Sequence, residues 1–524
     1  MTTTDHSATA AAPSTGERHL LKTGEEYTNL LRDNREIYQL GERIEDVTEH
    51  PATAGGVAEV AKMYDLQFDE QGRDLLTYVR DDGTRVTTSY LVPKTKEDLA
   101  LRRKGIQYIA RQTWGTHGRG MDMIATLMVG MHAYLPTFRK HCPEFADNID
   151  LTLRRLEDGN VHIAETIVDP QGYRSRPSAT TGDTPLPERA TARITRESSE
   201  GIWISGVKGV GTAAPQSNEL IVGSFYPTLT EESFWAVVPI DAPNLRMYCR
   251  EMVHRDGAST YRHPLTSRGE EIDALVAFDD VFVPRSSILE THSQELHNPN
   301  FYNEWGRWEH WYTFVRIAAK AEMYAGLAQL IVDTLELDQV PVVRQRVADI
   351  YEFAILLQGM VLAAEETAFL SENGVMTPDH VMTTAARSYA QAQLPLVLHI
   401  LQDICGQGMV LRFDESDLRL PAAYGKDLAW FLDTRNVSAR DKNLVMNLAW
   451  DVAASEHATR SKIFEESNAL NVPFLKERIY GEWDRAELVS LVRQYIGLEA
   501  GGLSNNLAPR ITNSLSAPTN GKPR

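Results

Sequence analysis

The chain has 524 residues, which is more than one small core requires and predicts two or three packed regions. Hydrophobic residues make up 42% and charged residues 24% of the sequence, values that are ordinary for a globular protein. The formal net charge of −19 and the pI near 5.3 argue against nucleic acid and anionic membranes as main partners.

The cysteines and the start of the chain bear on its compartment. Cys142, Cys249 and Cys405 lie far apart and form neither a CxxC pair nor a disulfide or zinc pattern, as is usual in a reducing cytoplasm. Residues 1–17 lack the basic and apolar regions of a secretory signal, and no run reaches about 18 uninterrupted apolar residues. We therefore predict a cytoplasmic protein with no metal site and no membrane span.

In chain order, the sequence divides into two tails and three zones. Residues 1–17 and 501–524 are rich in small polar residues, Ala and Pro, and we expect disordered tails there. Residues 18–150 have a mostly helical pattern and predict an N-terminal helical domain. Within this zone Thr95 and Asp98 form a capping box, which predicts the start of an amphipathic helix.

The remaining zones predict a β domain over residues 151–295 and a helix bundle over residues 296–500. In the β zone, "ATARITRE", "SSEG" and "GIWISGVKGVG" predict a strand, a turn and a second strand, and "NELIVGSFYP", "SFWAVVPID" and "DALVAFDDVFVP" predict more strands. Three later stretches with helical spacing each exceed 20 residues, which favours an antiparallel bundle. The predicted fold is α+β, mostly α, with the element order of acyl-CoA-dehydrogenase-like flavoproteins: N-terminal helices, a central β-barrel or sandwich, and a C-terminal bundle.

Several stretches resemble one family. "TGEEYTNLLRDNREIYQLGERIEDVTEHPA" at 23–52 is similar to the N-terminal signature of the oxygenase component of the 4-hydroxyphenylacetate 3-monooxygenase family. "YRHPLTSRGEEIDALVAFDDVFVPRSSIL" at 261–289 resembles the strand segment that precedes the bundle in the same family, and "ETIVDPQGYR" and "ISGVKGVGTAAPQSNEL" fit in register between them. The resemblance extends over roughly 20–470 and weakens after 330, so the chain is identified as a divergent member.

The resemblance implies a two-component enzyme. Members of the family use FADH2, which diffuses from a separate NAD(P)H:flavin reductase and binds without a covalent bond, together with dioxygen. Their flavin C4a-hydroperoxide transfers one oxygen atom to an electron-rich aromatic ring. The sequence has no GxGxxG that follows a strand and begins a helix, so no NAD(P)H site is evident. The family forms dimers or tetramers through the bundle, and "YEFAILLQGMVLAAEE" is apolar enough to join such an interface.

The segment "TWGTHGRGMDM" at 113–123 is unusual because it places a histidine and an arginine among glycines, ahead of an apolar run. Through the resemblance, Arg119 matches an arginine that the family presents to the reaction site beside the flavin. A guanidinium stays charged and offers five donors, so it can stabilise a peroxide or an anionic substrate. His117 is a second catalytic candidate, although a helix C-cap with a structural Arg119 remains the alternative interpretation.

Two positions depart from the family's phenol hydroxylases. Where those enzymes carry a substrate-contacting tyrosine, this chain has Met123, and where they carry a histidine that contacts the phenolic oxygen, it has Glu165. An ionised glutamate accepts hydrogen bonds and cannot donate. We therefore expect Glu165 to act on the substrate and to favour an N-heteroaromatic ring of pyridine, pyrrole or indole type over a simple phenol. A structural pair of Glu165 with Arg119 or Arg174 is the alternative. His162 lies three residues before Glu165, and in a strand this odd spacing would place it on the opposite face from the family's histidine.

The remaining site residues are implied by the resemblance alone, and each is also compatible with ordinary strand or loop chemistry. The expected flavin contacts are Thr166, Ile167, Gln171, Arg174, Thr212 and Asn471. The expected substrate-side loop contributes Ser224 and Phe225.

Three other functions stay open at this point. A flavin dehydrogenase acting on acyl thioesters would need a carboxylate base, for which Glu352 or Glu365 could be nominated. A dehydratase similar to 4-hydroxybutyryl-CoA dehydratase would need an iron–sulfur cluster held by several cysteines, and the chain has no close-spaced pair. A scaffold that has lost its flavin is the non-enzymatic alternative. The sequence favours an FADH2-dependent monooxygenase of a small aromatic ring, with hydroxylation as the default outcome.

Overall fold

The computed structural model describes residues 18–170, 191–224, 229–253, 259–293, 295–297, 304–419, 422–468 and 470–498. Both predicted tails lie outside these residues. The N-terminal helices are α1 Gly24–Leu30, α2 Ala54–Asp65, α3 Glu70–Leu76, α4 Lys96–Gln112, α5 Met123–Ala133, α6 Leu135–His141 and α7 Ala146–Asp158.

The capping box and the apolar run both form the helices that the sequence predicts. The Thr95 hydroxyl accepts the Asp98 N–H, and α4 begins directly after it. In α5 every residue but His132 is buried. A helix that is apolar on all sides belongs inside a core, and α5 packs on α7, on β5 of the β domain and on the first long helix of the bundle.

The strands form the predicted β domain with a contribution from the N-terminal zone. They are β1 Glu36–Gln39, β2 Glu42–Ile44, β3 Thr77–Val79, β4 Arg85–Thr87, β5 Ile163–Thr166, β6 Arg193–Glu197, β7 Gly201–Thr212, β8 Glu219–Gly223, β9 Phe234–Pro239, β10 Leu245–Cys249, β11 Asp273–Pro284 and β12 Ile288–Thr291. One sheet has the order β2-β1-β10-β11-β7-β6 and another the order β12-β9-β8-β5. The predicted strand–turn–strand is the antiparallel pair β6 and β7.

The C-terminal zone is a bundle of long helices. Its elements are α8 Arg307–Leu335, α9 Pro341–Glu366, β13 Phe369–Leu370, β14 Met376–Thr377, α10 His380–Cys405, α11 Glu415–Leu418, α12 Ala422–Leu432, α13 Ala439–Ala453, α14 Glu456–Ser467, α15 Val472–Glu482 and α16 Ala486–Tyr495. Helix α9 is long and apolar enough to cross a membrane by length and composition. It packs instead between α8 and α10 as a bundle helix.

The order of helices, β-sheet domain and bundle confirms the predicted fold class. The exact domain limits stay predictions. Helix α7 runs to Asp158 and crosses the predicted limit at residue 150, whereas the limit at 295 falls between the end of β12 and the start of α8. The N-terminal zone is also less uniform than its helical pattern suggests, because β1 pairs in parallel with β10 of the β domain.

Close approach of α5 to the start of α8 requires a glycine. A Cβ atom at Gly130 would overlap the carbonyl oxygen of Trp305 and lie 3.0 Å from Cδ1 of Trp308. We expect Gly130→Ala to destabilise the protein by about 1–3 kcal/mol, as overpacking does in other cores. The matched control is Gly326→Ala on α8, where nothing lies within 4 Å of the added Cβ. That change should be neutral or stabilising by up to about 1 kcal/mol. Equal melting temperatures for the two variants would contradict the close packing.

Candidate active site

The segment that stands out in the sequence, residues 113–122, is the loop between α4 and α5. Trp114 and Gly120 have φ angles of 54° and 50°. A glycine adopts such an angle without strain, whereas Trp114 adopts it at a cost. Nearly all of the loop is buried, and a side chain at Gly118 would overlap the ring of Phe464 on α14. The loop is therefore an internal contact between the N-terminal helices and the bundle, rather than a surface turn.

Arg119 is at the centre of this contact and is 8% exposed. Its backbone N–H donates to Oε1 of Glu271 at 2.6 Å, and its Nη1 donates to Oε1 of Glu165. The same Nη1 lies 3.3 Å from Sδ of Met123 and 4.0 Å from Oε1 of Glu309. Desolvation opposes the charge of Arg119, but the nearby Glu165, Glu309 and Glu271 outweigh it and raise the pKa of the guanidinium.

Glu165, the partner of Arg119, lies on β5, and this strand is buried on both faces. The strand pairs in parallel with β8 and packs on β7 and α5, so each of its side chains points into protein. Glu165 is 1% exposed, and its Oε2 has no hydrogen-bond partner among the described residues. The structure therefore contains the ion pair with Arg119 that the sequence left as an alternative, and it leaves one carboxylate oxygen available to a ligand.

A second carboxyl that the sequence did not indicate as functional, Glu309 on α8, faces the same guanidinium. It is 2% exposed, and its Oε2 lacks a partner within the described chain. Desolvation and then repulsion from Glu165 raise the pKa of Glu309 to about 8, although Arg119, Arg387 and Arg478 oppose the rise. Because the folded protein favours the protonated form of Glu309, this group contributes to the free energy of unfolding. Its contribution is fully present below the ordinary glutamate pKa of 4.5 and is lost as the pH rises toward 8.

The sequence did carry a signal for Glu309. The glutamate lies in "EWGRWEHWYTF", where Trp305, Trp308 and Trp311 are all buried. A charged residue spaced among large apolar side chains at the start of a core helix points inward, and buried carboxyls are rare unless they are paired or functional. The missing information was the partner, because Arg119 and Glu309 are far apart in the sequence.

The two candidate histidines have different surroundings. His117 is buried, and desolvation lowers its pKa to about 4, so the ring is neutral at pH 7. No hydrogen bond in the described part of the chain joins His117 to the Arg119–Glu165 pair, so its catalytic role stays a prediction. His162 lies just before β5, and its ring nitrogens contact the carbonyl oxygens of Gly120 at 3.0 Å and Gln216 at 3.2 Å. It therefore supports the Arg119 loop rather than replacing the family's histidine.

Thr166, Ile167 and Ser224, three predicted site residues of the β domain, lie where strands β5 and β8 end. Because β5 and β8 are parallel neighbours, with Thr166 opposite Val222, Thr166 and Ile167 lie at the same end as Ser224. The Thr166 hydroxyl is buried and donates weakly to a carbonyl of β7 at 3.4 Å. Ser224 is held by the buried Lys208, whose Nζ lies 3.2 Å from its Oγ. The three predicted residues therefore lie at the same end of neighbouring strands, and their roles stay predictions.

Other predicted flavin contacts are less supported by the local structure. Thr212 ends β7 and donates its hydroxyl to Asp273 at 2.7 Å, where Arg460 of α14 also pairs with the carboxylate at 2.8 Å. Asn471 is the exposed N-cap residue of α15 and makes no side-chain cap hydrogen bond. Both roles stay predictions. Gln171, Arg174 and Phe225 lie outside the described residues.

Buried polar atoms without partners cluster around the Arg119 loop. Among the described residues they include Arg119 Nε, Glu165 Oε2, Glu309 Oε2, Glu271 Oε2, His117 Nε2 and Trp114 Nε1. Buried polar atoms are normally paired, so such a set indicates a place for a polar ligand. The mixture of donors and acceptors suits a planar ring system with N–H and carbonyl groups of its own, such as the isoalloxazine of a flavin, and a small aromatic with one polar substituent.

Comparisons with known proteins show the family and the fold of the chain. Family models described as 4-hydroxyphenylacetate 3-hydroxylase N terminal and C terminal match residues 23–289 and 300–497. The chain is 30% identical over 502 residues to the oxygenase component of a 4-nitrophenol 4-monooxygenase/4-nitrocatechol 2-monooxygenase of Rhodococcus opacus, covering 91% of each protein. A crystal structure of the oxygenase component of 4-hydroxyphenylacetate 3-monooxygenase with FAD and 4-hydroxyphenylacetate is 28% identical, has a TM-score of 0.84, and is matched over 91% of this chain and 98% of that chain.

The fold and the buried site define an acyl-CoA-dehydrogenase-like flavoprotein. An archaeal 4-hydroxybutyryl-CoA dehydratase from N. maritimus shares this fold, with a TM-score of 0.81 at 18% identity over 92% of this chain and 96% of that chain. The chain itself belongs to the 4-hydroxyphenylacetate 3-hydroxylase family, whose models match most of its length. It is the oxygenase component of a two-component, FADH2-dependent aromatic monooxygenase, with FAD as its cofactor and a separate flavin reductase as its partner.

Similarity to curated aromatic monooxygenases favours an oxygenase over the alternative functions. Glu365, which a dehydrogenase would have used as its base, pairs with Arg103 of α4 at 2.8 Å. Glu352 is exposed on α9. No group of three or more His, Cys, Asp or Glu residues with metal-binding geometry occurs in the described part of the chain.

The Arg119–Glu165 pair should be a strongly coupled unit. We expect Arg119→Met to lower stability by about 3–5 kcal/mol, because it leaves buried carboxyls without their cation. Adding Glu165→Gln should recover part of that loss, since the double variant has no unpaired charge at this position. Thermal and urea unfolding of the single and double variants measure the coupling.

The matched control is the surface pair Arg111–Glu322, whose side chains are 45% and 37% exposed and 2.6 Å apart. Arg111→Met and Glu322→Gln should each cost no more than about 1 kcal/mol, with little coupling. Additive losses at Arg119 and Glu165 would contradict the buried pair.

Proposed function

We propose that this enzyme oxygenates the ring of a small phenol, with 4-nitrophenol as the first candidate. The observation that carries the proposal is the buried Arg119–Glu165 pair, in which Glu165 Oε2 has no protein partner among the described residues. A phenol brings the O–H donor that this oxygen lacks. The nitrophenol and hydroxyphenylacetate relatives support the same substrate class.

The pair also changes the argument that favoured a nitrogen heteroaromatic. That expectation took Glu165 as an unpaired carboxylate, which would repel a phenolate. In the structure Arg119 contacts the carboxylate directly, so the local charge that a phenolate meets is not simply negative. A carboxylate can replace a histidine as the acceptor of a phenolic proton. The phenol alternative therefore has better support than the N-heteroaromatic one.

The chemistry of the site follows from the properties of these side chains. The phenolic O–H would donate to Oε2 of Glu165, and Glu165 would take the proton as a general base, which raises the electron density of the ring. Arg119 would then bind the phenolate oxygen through its fixed positive charge. Met123, in contact with Arg119, would offer a flexible apolar wall to the substrate. Reduced FAD and dioxygen supply the oxygen atom.

The remaining predicted residues complete the proposal. Thr166 and Ile167 would lie along the flavin, because they follow Glu165 directly in the chain and the Thr166 hydroxyl contacts β7 at Gly209. Thr212, at the end of β7, would be a further flavin contact. Ser224 would contact the substrate or its loop from the end of β8. Phe464 packs on Gly118 and would help to keep water from the reacting groups, which two-component oxygenation requires.

Activity should depend on an external source of reduced flavin and prefer a phenol. Purified protein with NADH and FAD should not oxidise NADH above background, and addition of an NADH:flavin reductase with 4-nitrophenol should start substrate-dependent oxygen uptake. We expect kcat/KM for 4-nitrophenol to exceed that for pyrrole by about tenfold or more, as one charge-assisted hydrogen bond implies.

The reductase and flavin without the oxygenase provide the baseline for this assay. NADH oxidation by the oxygenase alone would overturn the two-component assignment. Faster turnover of pyrrole than of phenols would restore the nitrogen heteroaromatic as the substrate class.

Self-association through the bundle is also part of the proposal, together with a cytoplasmic location. Ile355 and Leu356 on α9 are 69% and 37% exposed, Leu362 is 53% exposed, and Leu396 on the neighbouring α10 is 42% exposed. Leu396 lines the groove between α9 and α10, and together with the exposed apolar side chains of α9 it gives the bundle an apolar face. A second copy of the chain, packing bundle on bundle, would bury that face.

Sedimentation velocity tests the self-association directly. The unmodified protein should sediment as a dimer or tetramer, and Ile355→Glu with Leu356→Glu should reduce it toward the monomer, because charges in an apolar interface lack partners. Leu151→Glu is the control, since Leu151 is 66% exposed on α7, outside the bundle. A monomer at all concentrations for the unmodified protein would contradict this interface.

A further inference from the structure

The charges around Arg119 do not balance. Glu165, Glu309 and Glu271 all face its guanidinium or its backbone. Glu271 has a second cation, because its Oε2 lies 3.9 Å from Nη1 of Arg460. Arg119 is the cation that Glu165 and Glu309 have in common, because its Nη1 lies within 4.0 Å of a carboxyl oxygen of each.

Two buried carboxyls that share one cation cannot both ionise at low cost. Removing a second negative charge from water, beside a first one, favours retention of a proton by one of the two groups. Geometry decides which group retains it. Glu165 makes a direct hydrogen bond with Nη1 of Arg119, whereas Glu309 is 4.0 Å from the same atom and makes no hydrogen bond to it.

The other charges that face Glu309 do not reverse this choice. Repulsion from Glu165 on β5 adds to the desolvation of Glu309, and these effects exceed the attraction of Arg119 in the loop, Arg387 on α10 and Arg478 on α15. The resulting pKa of about 8 leaves Glu309 protonated at neutral pH. The cluster of Arg119, Glu165 and Glu309 then carries no net charge.

We propose that Glu309 is a positioning residue that retains a proton so that Glu165 can accept the proton of the phenol and Arg119 can bind the phenolate. This inference rests on the proposed function. In the proton transfer, the phenolic O–H bond breaks and an O–H bond forms on Glu165 Oε2. Arg119 and the phenolate then form the ion pair, Glu165 and Glu309 are both neutral, and the net charge of the cluster stays zero.

The ionised form of Glu309 would prevent this exchange. A carboxylate there would leave the cluster with a charge of −1 before the substrate binds, and the phenolate would have to form beside it. Binding of a phenolate to the unmodified protein above the Glu309 pKa should therefore require the uptake of one additional proton. The Gln side chain of the variant Glu309→Gln cannot ionise, so that variant should not require this proton.

Binding of 4-nitrophenol to the flavin-free protein measures this difference without catalysis. Its phenol and phenolate forms absorb at different wavelengths, so a titration gives both the affinity and the ionisation state of the bound ligand. Above pH 8, the Kd of the unmodified protein should rise relative to that of Glu309→Gln by about tenfold for each pH unit. Glu309→Asp keeps a titratable carboxyl and should keep the steeper dependence.

The control is Glu322→Gln, the same substitution on the same helix at an exposed position, which should follow the unmodified protein. A Kd ratio between the unmodified protein and Glu309→Gln that does not change with pH would overturn the proposal, even with normal phenolate binding. A merely structural Glu309 would change the affinity by the same factor at every pH.

Infrared difference spectra test the proton on Glu309 even without a phenol. The unmodified protein minus Glu309→Gln should show a protonated carboxyl band at pH 7 that disappears as the pH rises through about 8. Absence of the band at pH 7 would overturn the proposal. Failure of the protein to bind any phenol, with the band present, would instead reject the phenol substrate class and leave the protonated Glu309 in place.

Discussion

A buried guanidinium is the constraint on which the site depends. Arg119 lies almost fully inside the protein, and a charge in such a place persists only with partners. Its partners come from different parts of the fold: Glu165 from β5, Glu271 from the segment before β11, and Glu309 from α8. The N-terminal helices, the β domain and the bundle are therefore fixed to one another at the point where the substrate would bind.

The loop that carries Arg119 explains how three layers can meet there. Gly118 and Gly120 have no side chains to hold the neighbours away, so Phe464 of α14 packs on one glycine and the hydroxyl of Tyr312 approaches the other. Behind this contact, Arg316 and Glu465 form a buried pair with two contacts of 2.6 Å. The bundle thus supports the loop through a buried ion pair of its own, while Nε of Arg119 and Oε2 of Glu165 have no hydrogen-bond partner among the described residues.

The chemistry of a two-component oxygenase fits this arrangement. Such an enzyme has to bind a diffusible flavin, keep water out and control one proton, and it does so without metal or covalent catalysis from the protein. A cation with two carboxyls gives three protonation states within a small volume. In the proposed function, Glu165 takes the place of a histidine as the proton acceptor, and the reaction class stays the same.

The sequence by itself determined the order of helices, strands and bundle, the capping box of α4, and the strand pair β6 and β7, because these depend on local patterns and on a long family signature. It also indicated Arg119 as a site residue, a role that stays a prediction. Only the tertiary structure decided what Glu165 contacts and that Glu309 shares its cation. Protonation and substrate preference depend on burial and on the sum of nearby charges. Those charges come from residues far apart in the chain, so no local pattern could give them.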